Sequence, residues 1–213
     1  MMRERILLLI LVGLIFSGCA LKVVPDPGTL GTINPKENSL SLTKDSVEIT
    51  VKLDQADLSS YNIDGTIAAF DVEIENRGTN EISFGQDDFL LLDNENRQYY
   101  SLSPEKIKEM IAKDSYYLLP YPYVGFYYLE EYEKASYQNT VNSNLPYYYE
   151  LHPQDIFSKA LNAGSIIPKA KVSGLVYFRV DLHALKGVRL LVYKKGAPKS
   201  ATPDFTFPFS IVK

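Results

Sequence analysis

Apolar and polar residues alternate with period two through most of the chain beyond residue 46, and this pattern narrows the possible folds more than any other feature. Val47, Ile49, Val51 and Leu53 alternate with Glu48, Thr50 and Lys52, and Phe70, Val72 and Ile74 alternate with Asp71, Glu73 and Glu75. Successive side chains of a strand point to opposite faces, so such segments predict strands with one buried face. N-R-G-T-N (Asn76–Asn80) supplies a turn, I-S-F starts another strand, and F-L-L-L (Phe89–Leu92) meets the turn D-N-E-N before R-Q-Y-Y-S-L returns as a hairpin arm. Downstream, Val172, Val176, Phe178 and Val180 share one face, as do Val188, Leu190 and Val192, and then Phe205, Phe207, Phe209 and Ile211. Pro208 has no N–H to donate, so the last strand is expected at an edge, or paired on one side only.

About eight short strands separated by turn signals, with no alternation of strand and helix, predict a mainly β, antiparallel two-sheet sandwich. Its expected core includes Phe70, Val72, Ile74, Phe89, Val176, Phe178, Leu190, Val192 and Phe207. The stretches F-D-V-E-I-E-N-R-G-T-N-E-I-S-F, D-D-F-L-L-L-D-N-E-N-R-Q-Y-Y, S-G-L-V-Y-F-R-V and V-R-L-L-V-Y resemble the immunoglobulin-like domains of unknown function that occur in secreted bacterial lipoproteins and are related to a small mycobacterial secreted antigen. The resemblance covers about residues 46–102 and 171–212, and it implies an immunoglobulin-like sandwich and a binding role. It supplies no catalytic residue.

The alternation stops between Leu102 and Pro168, which marks an insertion at about residues 103–168 in a sandwich spanning 45–213. Ser103, Pro104 and Glu105 form a helix start, with Ile107, Met110 and Ile111 as its apolar stripe. A second helix is expected over Pro153–Ala163, with Ile156, Phe157, Ala160 and Leu161 on one side and Gly164 as its stop. Thirteen of the sixteen tyrosines fall within Tyr99–Tyr149. Tyrosine joins an apolar body to a polar tip, which suits a wet contact surface; half-buried rings packed on a sheet account for the cluster equally well. The expected contact residues are Tyr121, Tyr123, Phe126, Tyr127, Tyr128 and Tyr132, with Tyr147, Tyr148 and Tyr149. A connection this long on a rigid scaffold is commonly functional.

The N-terminus gives the address. Arg3 and Arg5 precede an apolar run from Ile6 to Phe16, then Ser17, Gly18 and the single cysteine, Cys19. A membrane span needs about 20 apolar residues, so the run is a secretory signal. Its end resembles the lipobox of bacterial lipoproteins, with Phe16 where leucine is usual, which implies cleavage after residue 18 and lipid on Cys19. With Ala20 rather than aspartate next, the expected site is the cell envelope, at the outer membrane. Residues 19–44, interrupted by Pro25, Pro27 and Pro35, are expected to form a lipidated tether that holds the domain clear of the headgroups.

The chain carries a formal charge of −4 and no basic run, which argues against nucleic acid as a partner. His152 and His183 stand apart, without metal-ligand company, and neither a nucleophile elbow nor a phosphate-binding glycine loop is present. The turn Asp93–Arg97 has oxygen ligands but lacks the glycine and terminal glutamate of a calcium loop. The expectation is a non-enzymatic binding or assembly module without cofactor or metal, held to the membrane through Cys19 and meeting an envelope protein or polysaccharide. The alternative is a carbohydrate-binding or carbohydrate-cleaving protein in which tyrosines surround Glu130, Glu131 and Glu133.

Overall fold

The computed structural model describes residues 21–54, 65–117 and 154–213. Cys19 and the expected contact residues Tyr121, Tyr123, Phe126, Tyr127, Tyr128, Tyr132, Tyr147, Tyr148 and Tyr149 lie outside the described residues.

The fold is mainly β and antiparallel. In chain order the strands are β1 (Lys22–Pro25), β2 (Thr32–Asn34), β3 (Ser39–Lys44), β4 (Val47–Leu53), β5 (Ile67–Asn76), β6 (Ile82–Phe84), β7 (Phe89–Asp93), β8 (Gln98–Leu102), β9 (Gly164–Ile166), β10 (Lys171–Arg179), β11 (Gly187–Val192) and β12 (Phe205–Val212). Helices α1 (Pro104–Tyr117) and α2 (Gln154–Lys159) lie between β8 and β9. Ten strands form one sheet in the order β1-β12-β11-β7-β8-β10-β5-β4-β3-β2, and β6 pairs with β9. The ten-stranded sheet folds over at β8, which joins β10 through only two residue pairs, Leu102 with Tyr177 and Ser101 with Phe178. The resulting layers face each other as a sandwich.

Period-two alternation places the core between the layers. Phe70, Val72, Ile74, Phe89, Val176, Phe178, Leu190, Val192 and Phe207 are all buried within it, as their spacing predicts. Phe70 sits edge-on to Phe178 at 5.9 Å between ring centroids and 5.8 Å from Phe209, separations at which aromatic pairs attract.

Three expectations require correction. Residues 22–44 are not a tether: β1 pairs with β12 from Lys22↔Val212 to Pro25↔Phe209, and β3 pairs with β4 from Leu40↔Val51 to Lys44↔Val47. Leu40 is fully buried and Val23 nearly so, so the sandwich begins at Lys22 rather than at residue 45. Proline does not prevent this, because Pro25 ends β1 and Pro35 stands in the β2–β3 turn.

The last strand is not an edge, since β12 lies between β1 and β11. The local reason for expecting one still holds at Pro208. Its carbonyl accepts the Asp26 N–H at 3.1 Å, so its missing N–H faces the same neighbour, and the Asp26 carbonyl instead accepts the Thr29 N–H at 3.2 Å and hydroxyl at 2.8 Å. The proline stands where β1 turns out of the sheet.

The second helix is shorter than its expected span. It ends at Lys159, and Gly164 opens β9 instead of stopping a helix. Leu161 donates its N–H to the Leu175 carbonyl at 3.0 Å, so the chain leaves the helix to bond with β10. The first helix starts where expected, with the Ser103 carbonyl accepting the Lys106 and Ile107 N–H groups.

Candidate functional site

The helices on either side of the Tyr-rich stretch pack on the sandwich at a site that alternation alone does not indicate. Along β5, Ile67, Ala68, Ala69 and Phe70 are all buried, and along β10 so are Leu175, Val176, Tyr177 and Phe178. Strands buried on both faces read as continuous apolar runs. I-A-A-F and L-V-Y-F are such runs, and they carry the one sequence signal that the outer face is covered here. Ile67, Ala69, Leu175 and Tyr177 form a second apolar cluster on that face with Ile107 of α1, Ile156 of α2 and Ala160, and Leu102 and Met110 pack at its margin.

Polar contacts fix this base. The Tyr177 hydroxyl, fully buried, donates to the Ile156 carbonyl at 3.3 Å. Gln86 donates through Nε2 to the Leu161 carbonyl at 3.3 Å, and the Ser101 hydroxyl donates to the Gln86 carbonyl at 2.8 Å. Lys108 of α1 holds its ammonium 6.0 Å from the Phe157 ring centroid of α2, within cation–π range. Gly174 admits the closest approach: a Cβ there would stand 2.5 Å from both Leu161 N and Leu161 Cα.

Two tyrosines of the cluster have described side chains, and they differ. Tyr99 turns inward and donates its hydroxyl to Asp93 at 3.0 Å, whereas Tyr100 is 65% exposed on β8. Asp93 is fully buried at the β7–β8 turn. Its Oδ1 accepts the Glu95 N–H at 2.8 Å and the Arg97 N–H at 2.9 Å; its Oδ2 accepts Arg97 Nε at 2.6 Å and the Tyr99 hydroxyl. Burial opposes its charge, but the Arg97 side chain, the two backbone N–H groups and Tyr99 together lower its pKa to about 2. A carboxylate enclosed by a guanidinium and three further donors has no lone pair turned toward a cation, so the turn is an organised hairpin.

A groove of about 870 Å³ opens between the Leu42–Lys44 end of β3, the Phe205–Pro208 start of β12 and the turn at Asp26–Leu30. It exists because β1 ends at Pro25 and β2 pairs β3 only as far as Ser41, leaving the seam of the sandwich uncovered beyond both. Lys44 bridges the seam to Asp204 at 3.3 Å. Burial opposes the Asp204 charge, but the Lys194 N–H at 2.9 Å and Lys44 hold its pKa below the usual carboxylate range. Sequence reasoning missed this groove, because both residues that bound it at Asp26 and Leu30 fell in the expected tether.

Among the described residues no group of histidine, cysteine, aspartate or glutamate is placed to hold a metal ion, and no helix is long and apolar enough to cross a membrane. His183 is exposed in the 3-10 turn after β10, where its N–H bonds Asp181 at 2.8 Å.

No protein-family model and no curated protein matches the chain. Two solved structures, both from Bacillus subtilis, are similar at low level. A candidate lipoprotein, ycdA, is 13% identical with a TM-score of 0.42, over 80% of this chain and 38% of its own. The yjhA protein is 14% identical with a TM-score of 0.39, over 76% of this chain and 82% of its own. This chain therefore spans less than half the length of ycdA, and neither likeness reaches the level at which a shared fold follows.

Proposed function

We propose that the protein is a lipid-anchored module of the bacterial cell envelope that binds or assembles without catalysing a reaction. Cys19 is the attachment point, and the partner, an envelope protein or polysaccharide, meets the segment that carries Tyr121, Tyr123, Phe126, Tyr127, Tyr128 and Tyr132, with Tyr147, Tyr148 and Tyr149. The observation that supports the contact surface most is the base on β5 and β10. Of the helices that flank this segment, α1 packs on the sandwich through Ile107, and α2 packs through Ile156, whose carbonyl accepts the Tyr177 hydroxyl, so both flanks of the segment are seated on the sandwich. The expectation of lipid on Cys19 rests on the apolar run ending in Ser17, Gly18 and Cys19, and the resemblance to immunoglobulin-like lipoprotein domains agrees with it.

The test has two arms. Cells expressing Cys19→Ala are fractionated, and the protein is expected to leave the membrane pellet; retention as firm as wild type refutes the anchor. For the surface, Tyr121→Ala with Tyr123→Ala is expected to weaken capture of envelope partners by about 2 kcal/mol or more if these rings are anchors, with the melting temperature nearly unchanged. A large stability loss with unchanged capture means that the rings are core. Glycan hydrolysis abolished by Glu130→Gln or Glu131→Gln overturns the non-catalytic reading.

A further inference from the structure

We propose that the end of the sandwich formed by Lys22, Lys186, Val212 and Lys213 is a docking face for anionic lipid headgroups, so that the anchored protein rests against the membrane instead of standing clear of it. This rests on the reading of Cys19 as the lipid attachment site. Only three peptide steps separate Cys19 from Lys22, the first residue of β1, and three steps reach about 11 Å at most. Lys22 is not free to extend that reach, because it is paired with Val212, and Leu21 already packs against the core. A lipid on Cys19 therefore holds this end of β1 within one short span of the bilayer.

The side chains at this end suit that neighbour. Val212 is 51% exposed beside Lys22, one of few large apolar residues left in solvent among the described residues. Lys186 is brought alongside by its carbonyl, which accepts the Ile211 N–H at 2.9 Å, and Lys213 follows directly. Lys22, Lys186 and Lys213 are all exposed, and none is in an ion pair among the described residues. Of the acids near this end, Glu95 is engaged with Arg97 at 3.5 Å and Asp181 with the His183 N–H, and Glu37 stands exposed beside the equally exposed Lys36. The other end of the strands differs. There Lys44 is matched with Asp204, Lys194 with Asp45 and Asp204, and Lys171 with Glu73 and Glu75, while Lys195 bonds the Ser83 hydroxyl at 3.1 Å and Lys169 the Arg77 carbonyl at 2.6 Å. Since β12 runs from Phe205, beside the Lys44–Asp204 pair, to Val212, beside Lys22, the seam groove faces away from the membrane.

The single cysteine makes the test independent of cellular processing. The chain from Cys19 onward, which contains every described element, is coupled through that thiol to a maleimide lipid in vesicles of phosphatidylcholine alone or with about a third phosphatidylglycerol. Lysine acylation is then mapped by mass spectrometry. Each basic residue at an anionic surface favours association by on the order of fivefold, so acylation at Lys22, Lys186 and Lys213 is expected to fall at least about fivefold on the anionic vesicles relative to Lys171, Lys194 and Lys195. The protection is expected to vanish in high salt, which screens such contacts, and in the variant Lys186→Glu/Lys213→Glu with an unchanged circular dichroism spectrum. Equal labelling of both ends on anionic vesicles overturns the proposal, as does protection that is identical without phosphatidylglycerol. If the lipidation reading fails, it fails in the Cys19→Ala fractionation, and the vesicle result stands apart from it.

Discussion

Asp93 shows how one buried charge organises a hairpin turn. Its folded-state pKa of about 2 lies below the ordinary value of 3.8, so the folded protein favours the carboxylate more than the unfolded chain does. That contribution is fully present above about pH 4 and is lost as pH falls toward 2. Replacing Asp93 by Asn removes the charge that Arg97 faces and puts a donor where one of the two accepting oxygens stands, at an expected loss of about 1 to 3 kcal/mol near neutral pH. In urea titrations the gap between wild type and Asp93→Asn should narrow steadily from pH 4 to pH 2; a gap that stays constant would show that the carboxylate charge is not what stabilises the turn. D-N-E-N-R was readable as a turn from composition alone, because Asn and Asp bond their own backbone there. Which way Tyr99 points was not readable, since a half-buried tyrosine and a contact tyrosine have the same sequence signature, and only the register Leu91↔Tyr99 decides it.

At the scale of elements, long alternating strands were legible, and short strands beside prolines were not. The alternation in β4, β5, β10, β11 and β12 gave the sandwich core, whereas S-L-S-L-T-K in β3 was too short and too close to prolines to stand out. The insertion's base depends on Gly174, where a strand interior admits another backbone, a role that glycine often has in strands. In Gly174→Ala the new methyl would meet Leu161 N and Cα at 2.5 Å and the Ala160 carbonyl carbon at 2.7 Å. Backbone cannot swing aside as a side chain does, so the segment after α2 must lift from β10. We expect a loss of about 1 to 3 kcal/mol in urea unfolding, together with faster amide exchange at Leu161. Unchanged exchange there would mean that the crossing relaxes without undocking. The core has its own test: Phe178→Asp buries an unpaired charge between Phe70 and its neighbours and should abolish the cooperative transition of a domain whose stability is about 5 to 15 kcal/mol.

For the whole molecule, the decisive difference from the sequence reading is where the domain begins. A chain starting at Asp45 would retain every strand that alternation predicted, yet it would lack β1, β2 and β3. That removes Val23 and Leu40 from the core, uncovers Ile49 and Val51 of β4, and leaves both β4 and β12 as unpaired edges. Such edges invite aggregation, so residues 45–213 are expected to be insoluble or unfolded by circular dichroism, while residues 19–213 fold; a soluble, cooperative 45–213 chain would restore the tether. The same pairing governs the order of assembly. β1 leaves the ribosome or the export channel before any other described strand, but its partner β12 lies at the far end of the chain, with Lys22 opposite Val212. Pairings between distant parts of a chain are slow to form. The first described strand therefore waits longest for its neighbour, and the sheet closes on that side only once β12 has been made.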